Sequence, residues 1–423
     1  MVLGVADALI PRRALETATE SLQGFRAVVI QGARQTGKST LANLLAEQLD
    51  ASSITLDRDE DLASALRDPT EFLRLLGHPA VIDELQRGGE PLVLALKQRL
   101  DASRAPGQYV LTGSTNFLTT RAVSESLAGR IDLITLWPLS MGELTSGADG
   151  FVDRAFEDPT ALVSHSGATP TKREYLELLC RGGYPEANGL ADRSRRRWFE
   201  RYLETVLRRE VESVADLRRF DALLNMARLL MATTGAELIV SRLADDLGID
   251  RATVETYEPW METAFLVHRV PAWSRKVAAR TVRRPKLHAV DTGLAAAIIG
   301  KSPDALARLT DPSTGPLIES FVVAEIAKQL TWSQTSARQY HLRESDGLEL
   351  DAIIESADGR VVAIEVKSAT LARSEDAVPM GVLRDRLDSV GTDFVAGVVF
   401  HTGDRRVSLG DRLYGLPIAD LWT

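Results

Sequence analysis

Cysteine is nearly absent from this chain, with Cys180 the single one among 423 residues. One thiol excludes an internal disulfide framework and any cysteine-rich zinc site, and it suits a reducing compartment. Long apolar runs are also missing: no stretch is long enough to span a bilayer, and Met1 to Leu22 is too interrupted by charge for a secretory signal. The expectation is a cytoplasmic protein without a membrane partner. Histidine is scarce, and His78, His165, His268, His288, His341 and His401 are too scattered along the chain to read as a metal site. Positive charge is in deficit, with 50 Lys and Arg against 59 Asp and Glu, a formal charge of −9. A surface that is basic all over is thereby disfavoured, although a local patch can still hold phosphates. What is present is ordinary for a folded protein, 44% hydrophobic and 26% charged residues, and the length predicts two to four globular units.

Along the chain, residues 1–24 read as a lead-in helix with Pro11 as a breaker. Short apolar strands (Ala27 to Ile30, Ser53 to Leu56, Ala80 to Ile82, Tyr109 to Leu111, Ile131 to Leu136) then alternate with helical stretches up to about 165, the pattern of a parallel α/β sheet. Thr145 to Thr171, rich in Gly, Ser, Asp and Thr, reads as a linker or flexible excursion. Residues 166–220 are helical and charged, 221–304 begin helical and turn mixed, and 305–423 restart with a helix and end in strands.

The sharpest signal is Gly32, Ala33, Arg34, Gln35, Thr36, Gly37, Lys38 and Ser39, a complete G-x-x-x-x-G-K-[ST] loop between a strand and the helix opening at Thr40. The glycines let backbone N–H groups turn toward an anion, the helix start presents its positive dipole end, and Lys38 reaches the terminal phosphates of a nucleotide. These residues through Thr40 are the expected ATP-binding set, with Ser39 a magnesium ligand. About fifty residues on, an apolar strand ends in Asp83 and Glu84. Strand alternation is expected to send their side chains in different directions, Asp83 to the magnesium shell and Glu84 to the attacking water.

The strings GARQTGKST, VIDELQR, YVLTGSTNF, SLAGRI, WPLSMGEL and RGGYPE, in this order, resemble the AAA+-type bacterial and archaeal ATPases whose C-terminal half is the uncharacterised domain DUF4143. The resemblance implies an α/β fold with a P-loop AAA+-like core (25–165), a helical lid (166–220), a winged helix (221–304) and a restriction-endonuclease-like α/β domain (305–423). It further implies that Ser114, or Thr112 beside it, senses the terminal phosphate and that Arg130 is an arginine finger serving a neighbouring subunit of a homo-oligomer. An exposed helix-end arginine is the alternative for Arg130. Arg181 becomes a candidate second sensor, or part of a turn. The family pattern of Arg-Asp near residue 205 is met here by Arg209 and Glu210, so that pair carries no assignment.

Ser241 to Leu247, Gly248 and a helix from Arg251 to Phe265 capped by Asp250 read as a helix-turn-helix. Its second helix would offer Arg251, Thr253 and Glu255 to a DNA groove. Arg275, Lys276, Arg280, Arg283, Arg284 and Lys286 follow without an intervening acid, a candidate wing for DNA phosphates. Arg193, Arg195, Arg196 and Arg197 read as a helix face near the lid.

In the last segment Asp351 follows the short strand Leu348 to Leu350, and Glu365-Val366-Lys367 ends the strand Val361 to Val366. This is a D-x(n)-E-x-K arrangement in which alternation puts Glu365 and Lys367 on one face. Two carboxylates could bind Mg2+ or Mn2+ for DNA cleavage, with Lys367 acting on the water. Glu319 matches the extra helical acid of the nuclease superfamily that the resemblance implies. The spacing alone is common; its place in a nuclease-like domain gives it weight. Two functions follow: ATP turnover coupled to DNA binding and metal-dependent DNA cleavage, or a nucleotide-switched DNA- or protein-binding regulator with an inert last domain.

Overall fold

Ala27, Val28, Val29 and Ile30 are all buried, a run apolar on both faces, which suits a strand inside a sheet covered on both sides. The computed structural model describes residues 9–113, 127–164, 167–211, 217–281, 283–391 and 393–423. Its contacts divide the chain into two compact units, Met1–Leu139 and Ser140–Thr423.

In the first unit, β1 (Ala27–Gly32), β2 (Ser52–Thr55), β3 (Ala80–Asp83), β4 (Tyr109–Thr112) and β5 (Ile131–Leu136) form one parallel sheet of order β2-β3-β4-β1-β5. Alternation sorts the side chains of β1. Val28 and Ile30 pack with α1 (Ala14–Gly24) and α2 (Lys38–Leu49), through Ala18, Leu22, Leu41 and Leu45. Ala27 and Val29 face the other layer, α3 (Asp59–Arg67), α4 (Pro69–Leu76) and α5 (Gly89–Ala102), through Ala65, Leu73, Leu92 and Leu96. The expected parallel α/β core is therefore present. Because every strand points the same way, β1, β3 and β4 end at the same edge, where open α/β sheets hold their ligands.

The second unit contains α6 (Lys172–Arg181), α7 (Asp192–Val211) and α8 (Leu217–Ala232). Then come α9 (Val240–Leu247) and α10 (Arg251–Thr263), joined at Gly248, whose φ of 64° is left-handed. Asp250 caps α10 by accepting from the Thr253 N–H at 2.8 Å. The helix ends at Thr263 rather than Phe265 because Phe265 itself turns left-handed, at φ 54°. β6 (Ala236–Glu237), β7 (Val267–Val270) and β8 (Lys286–Ala289) make an antiparallel sheet of order β6-β8-β7. After α11 (Thr292–Ile298), the long α12 (Thr314–Gln329) is buried on nearly every face. It packs on β11 of a six-stranded mixed sheet, β13-β14-β12-β11-β10-β9, made by β9 (Ala337–Arg343), β10 (Glu349–Ser356), β11 (Val361–Lys367), β12 (Phe394–His401), β13 (Val407–Gly410) and β14 (Leu413–Pro417).

The linker expected at Thr145 to Thr171 is not one in its described part. Phe151–Glu157 is a helix that buries Phe151, Val152, Ala155 and Phe156, and Pro159–Ser164 is a 3-10 turn. Polar composition misled there because a few aromatic and branched residues at helical spacing were enough to dock the segment.

Candidate functional site

β1 ends at Gly32, where an added Cβ would lie 2.2 Å from the Leu136 carbonyl oxygen, so only glycine fits against β5. The loop closes at Gly37, whose φ of 94° admits the turn into α2. Lys38, 8% exposed, donates from Nζ to the carbonyls of Gly32 at 3.0 Å and Ala33 at 2.9 Å. Burial pulls its pKa down to about 8, against the raising effect of Glu84 and Asp83. Thr36 is buried and its hydroxyl donates to the Ala33 carbonyl at 2.9 Å. Arg34 is half-buried, whereas Gln35, Ser39 and Thr40 are exposed. Gln35 also takes a left-handed φ of 60°.

Asp83, at the end of β3, gathers three hydroxyls. Ser39 Oγ donates to Oδ1 at 2.9 Å, Thr55 Oγ1 to Oδ2 at 3.3 Å, and Thr112 Oγ1, from the end of β4, to Oδ1. Thr112 in turn accepts the Glu84 N–H at 3.0 Å. The alternation expected of Asp83 and Glu84 stops one residue early: Glu84 leaves the strand at φ 58°, and its carboxylate accepts from Gln86 Nε2. A turn, not pleating, separates the two carboxylates.

Two contributors carried no sequence signal. Arg12, ahead of α1, donates to the Thr36 carbonyl and to the Trp137 carbonyl, each at 2.6 Å, and so holds the phosphate loop from behind. Thr55 ends an edge strand that no motif marks. Ser114 lies outside the described residues. Arg130 makes a two-pronged pair with Asp101, Nε to Oδ1 at 2.6 Å and Nη2 to Oδ2 at 2.9 Å, at the end of α5.

In the second unit Arg181 is exposed beside a cavity of about 410 Å³ shared with Arg173, Arg195, Arg196 and Lys301. On the helix-turn-helix, Arg251 and Glu255 are exposed, while Thr253 is tied back to Asp250 through both N–H and hydroxyl. Arg275, Lys276 and Arg284 are exposed and Arg283 is half-buried. Two members of the expected wing must be withdrawn from it. Arg280 sits against Glu355 with Nη2 at 2.7 Å from Oε1, under the Tyr340 ring, and its Nε donates to the Ser274 carbonyl. Lys286 is 3% exposed and points into the carboxylate cluster. Neither can meet a phosphate in solvent while so engaged.

That cluster draws on three elements. Asp351 lies inside β10 rather than after a strand, and its Oδ2 accepts the Val366 N–H of β11 at 2.8 Å. Lys367 donates to Glu365 Oε1 at 2.6 Å, so alternation does put them on one face. Glu319 comes from α12, and Lys286 Nζ lies 2.9 Å from its Oε1, 3.6 Å from Asp351 Oδ1 and 3.6 Å from Glu349 Oε1. Burial, then mutual repulsion with Asp351, raises both Glu319 and Glu365. Burial raises Asp351 too, partly offset by Lys286. Burial would lower Lys286, but Glu319 and Asp351 outweigh it and the ammonium is held. Three histidines that are distant in sequence converge beside this cluster. His268 and His288 face each other across β7 and β8; His288 Nδ1 is 3.0 Å from Ser320 Oγ and Nε2 is 4.0 Å from Glu319 Oε1. Burial lowers His268 and His341 to a pKa of about 4 and pushes His288 well below the ordinary imidazole range, so all three are neutral. Among the described residues, no three His, Cys, Asp or Glu side chains are grouped to hold a metal ion. The donor set of the cluster thus does not fit the divalent ion expected there, because an ammonium sits among its carboxylates.

Residues 24–145 match the family described as AAA domain, and residues 314–421 match the domain of unknown function DUF4143. The chain carries an AAA domain and a C-terminal DUF4143 domain. Between them, residues 172–305 match the domain of unknown function DUF8612. Uncharacterized proteins of Mycobacterium tuberculosis and Mycobacterium bovis are each 26% identical over 98% of this chain and 85% of their own length. Among solved structures, a Walker-type ATPase of Pyrococcus abyssi is 16% identical, covering 69% of this chain and 96% of its own, with a TM-score of 0.40. AMPPCP-bound DnaA from Aquifex aeolicus is 15% identical, covering 62% and 89%, with a TM-score of 0.26. The phosphate loop, Asp83 and Thr112 all fall inside the AAA domain, whereas Glu319, Asp351, Glu365 and Lys367 fall in DUF4143 and Lys286 outside it. Among the described residues, no helix is long and apolar enough to cross a membrane.

Proposed function

We propose that the AAA domain binds ATP with magnesium and hydrolyses it. The observation that carries this reading is the Ser39 hydroxyl on the Asp83 carboxylate at 2.9 Å, across the edge where the strands β1 and β3 end. A hydroxyl and a carboxylate so paired are the two protein ligands that a phosphate-bound magnesium ion needs, and Lys38 supplies the charge beside them. When bound, the ion would neutralise charge on the terminal phosphates. The amides from Ala33 to Ser39 cradle those phosphates. Lys38 exchanges two carbonyl partners for phosphate oxygens, and Thr112 holds Asp83 and Glu84 in relation to each other. Glu84 orients the attacking water, Ser114 senses the terminal phosphate, and Arg130 serves a neighbouring subunit once released from Asp101.

Calorimetry and phosphate release test the assignment. Lys38→Ala is expected to weaken ATP binding by about 10- to 100-fold, the loss of charge-assisted bonds worth ~1.5–3 kcal/mol. Glu84→Gln should leave binding intact and cut turnover at least as far. Unchanged affinity in the lysine variant refutes the phosphate-loop assignment.

Nucleotide occupancy is coupled, in this reading, to DNA binding through Arg251, Arg275, Lys276 and Arg284, with α9 and α10 as a helix-turn-helix and β7–β8 as its wing. For the last domain, the Lys286 ammonium among the carboxylates favours the regulator over the nuclease: a nuclease-shaped module held without a metal.

A further inference from the structure

Lys286 reaches the carboxylates of Glu319, Glu349 and Asp351 from β8, a strand outside the DUF4143 domain that bears them. Four acids, Glu319, Glu349, Asp351 and Glu365, share this corner with two ammonium groups, Lys286 and Lys367, while Arg343 approaches Glu349 from the outside at 3.5 Å. Glu319, Asp351 and Glu365 are half-buried and Glu349 is exposed; carboxylates partly out of water at this density favour a cation beside them, and the fold supplies it. The residue before Lys286 is clamped through its carbonyl, Pro285 accepting the Leu238 N–H at 2.8 Å, and the Arg284 carbonyl lies 3.0 Å from His341 Nε2. Lys286 is also paired in register with both Glu237 and Val270, inside its sheet.

We propose that Lys286 is the resident cation of the carboxylate cluster, so that Glu319 and Asp351 accept a divalent ion only when β8 withdraws its ammonium. The proposal rests on the reading of the last domain as nuclease-shaped but metal-free, and it adds the residue that keeps it so. The chemistry is competition. A divalent ion needs the oxygens of Glu319 and Asp351 that face Nζ, and an ammonium fixed among them raises the electrostatic cost of bringing a second positive charge to the same place.

The test is Mn2+ uptake by the full chain without nucleotide, followed by the loss of the free-ion paramagnetic resonance signal. Wild type and Asp351→Asn should take up Mn2+ identically, with no Asp351-dependent site. Lys286→Met should gain about one ion per chain, bound at least tenfold more tightly than any ion in wild type, and lose it again in Lys286→Met combined with Asp351→Asn. Lys286→Arg, which keeps the charge, should gain nothing. An Asp351-dependent ion in wild type as tight as in Lys286→Met overturns the proposal, and so does a folded Lys286→Met that gains none. If Lys286→Met does not fold, Lys286→Gln takes its place in the same comparison, and any tight Asp351-dependent ion in wild type overturns the proposal by itself. ATP turnover in the same preparations reports on the phosphate-loop reading separately.

Discussion

At the scale of single residues, two buried ionisable groups make the protein's behaviour depend on pH. Lys38 is held at a pKa of about 8 by burial, so above that pH the resting lysine is increasingly neutral. Phosphates arriving beside it favour the ammonium. Nucleotide binding should therefore take up a large fraction of one proton at pH 8.5 and almost none at pH 6.5, measurable by calorimetry in buffers of different ionisation enthalpy. Absence of that uptake would mean that Lys38 does not meet the phosphates. Asp149 behaves in the opposite sense. Burial, then Glu325, raises it to about 7 from 3.8, while Ser140 Oγ and the Gly142 N–H donate to it at 2.6 and 3.0 Å. A raised carboxyl contributes stability that is present below the unfolded pKa and is lost as pH climbs through the folded one. Asp149→Asn, which cannot ionise, should gain in melting temperature relative to wild type between pH 5 and 8, by roughly a few degrees. A constant gap across that range would exclude the titration.

At the scale of elements, the phosphate loop is a short turn made rigid by its neighbours. The lead-in residue Arg12 bridges the Thr36 and Trp137 carbonyls, joining the loop to the segment after β5. Arg12→Ala should raise the ATP dissociation constant several-fold and destabilise the first unit by about 1–2 kcal/mol, the loss of charge-assisted bonds to carbonyls. Denaturant unfolding and calorimetry would show the two effects together, and unchanged values would mean that the loop holds itself. The loop and its helix were legible in the sequence because they are contiguous: glycines at fixed offsets, a lysine and a hydroxyl at a helix start. Arg12 was not legible, because its partners are main-chain carbonyls that any sequence would supply. The helix pair α9 and α10 was legible for the same local reason, with an apolar stripe, a glycine turn and an acidic cap. Its end was not, since Phe265 turns left-handed with no glycine to mark it, the Leu266 N–H closing back on the Met261 carbonyl at 2.9 Å.

Across the whole molecule, the basic run after the helix-turn-helix divides into two kinds of residue. Arg275 and Lys276 are exposed, whereas Arg280 is consumed by Glu355 and the Tyr340 ring. Arg275→Ala with Lys276→Ala should weaken binding to duplex DNA and reduce its salt slope by about 0.9 for each phosphate that is no longer neutralised. Arg280→Ala should leave that slope unchanged while destabilising the second unit by about 1–3 kcal/mol, because half-buried Glu355 keeps the Trp273 N–H but loses its guanidinium. Anisotropy titrations over a salt series, beside thermal melts, separate the two. A salt slope that falls equally in both variants would return Arg280 to the binding surface.

What the sequence determined by itself was local: the alternation of strand and helix in the first unit, the phosphate loop, the acidic strand end at Asp83, and the facing of Glu365 and Lys367. Each depends on residues a few positions apart, where backbone periodicity alone sets direction. Tertiary structure decided which charges meet. Lys286 became the counter-ion of three acids, Arg280 the partner of Glu355, and His268, His288 and His341 a neutral group beside them. Burial and ion pairing depend on segments brought together from far along the chain, and a run of basic letters does not say which of them folding will take out of water.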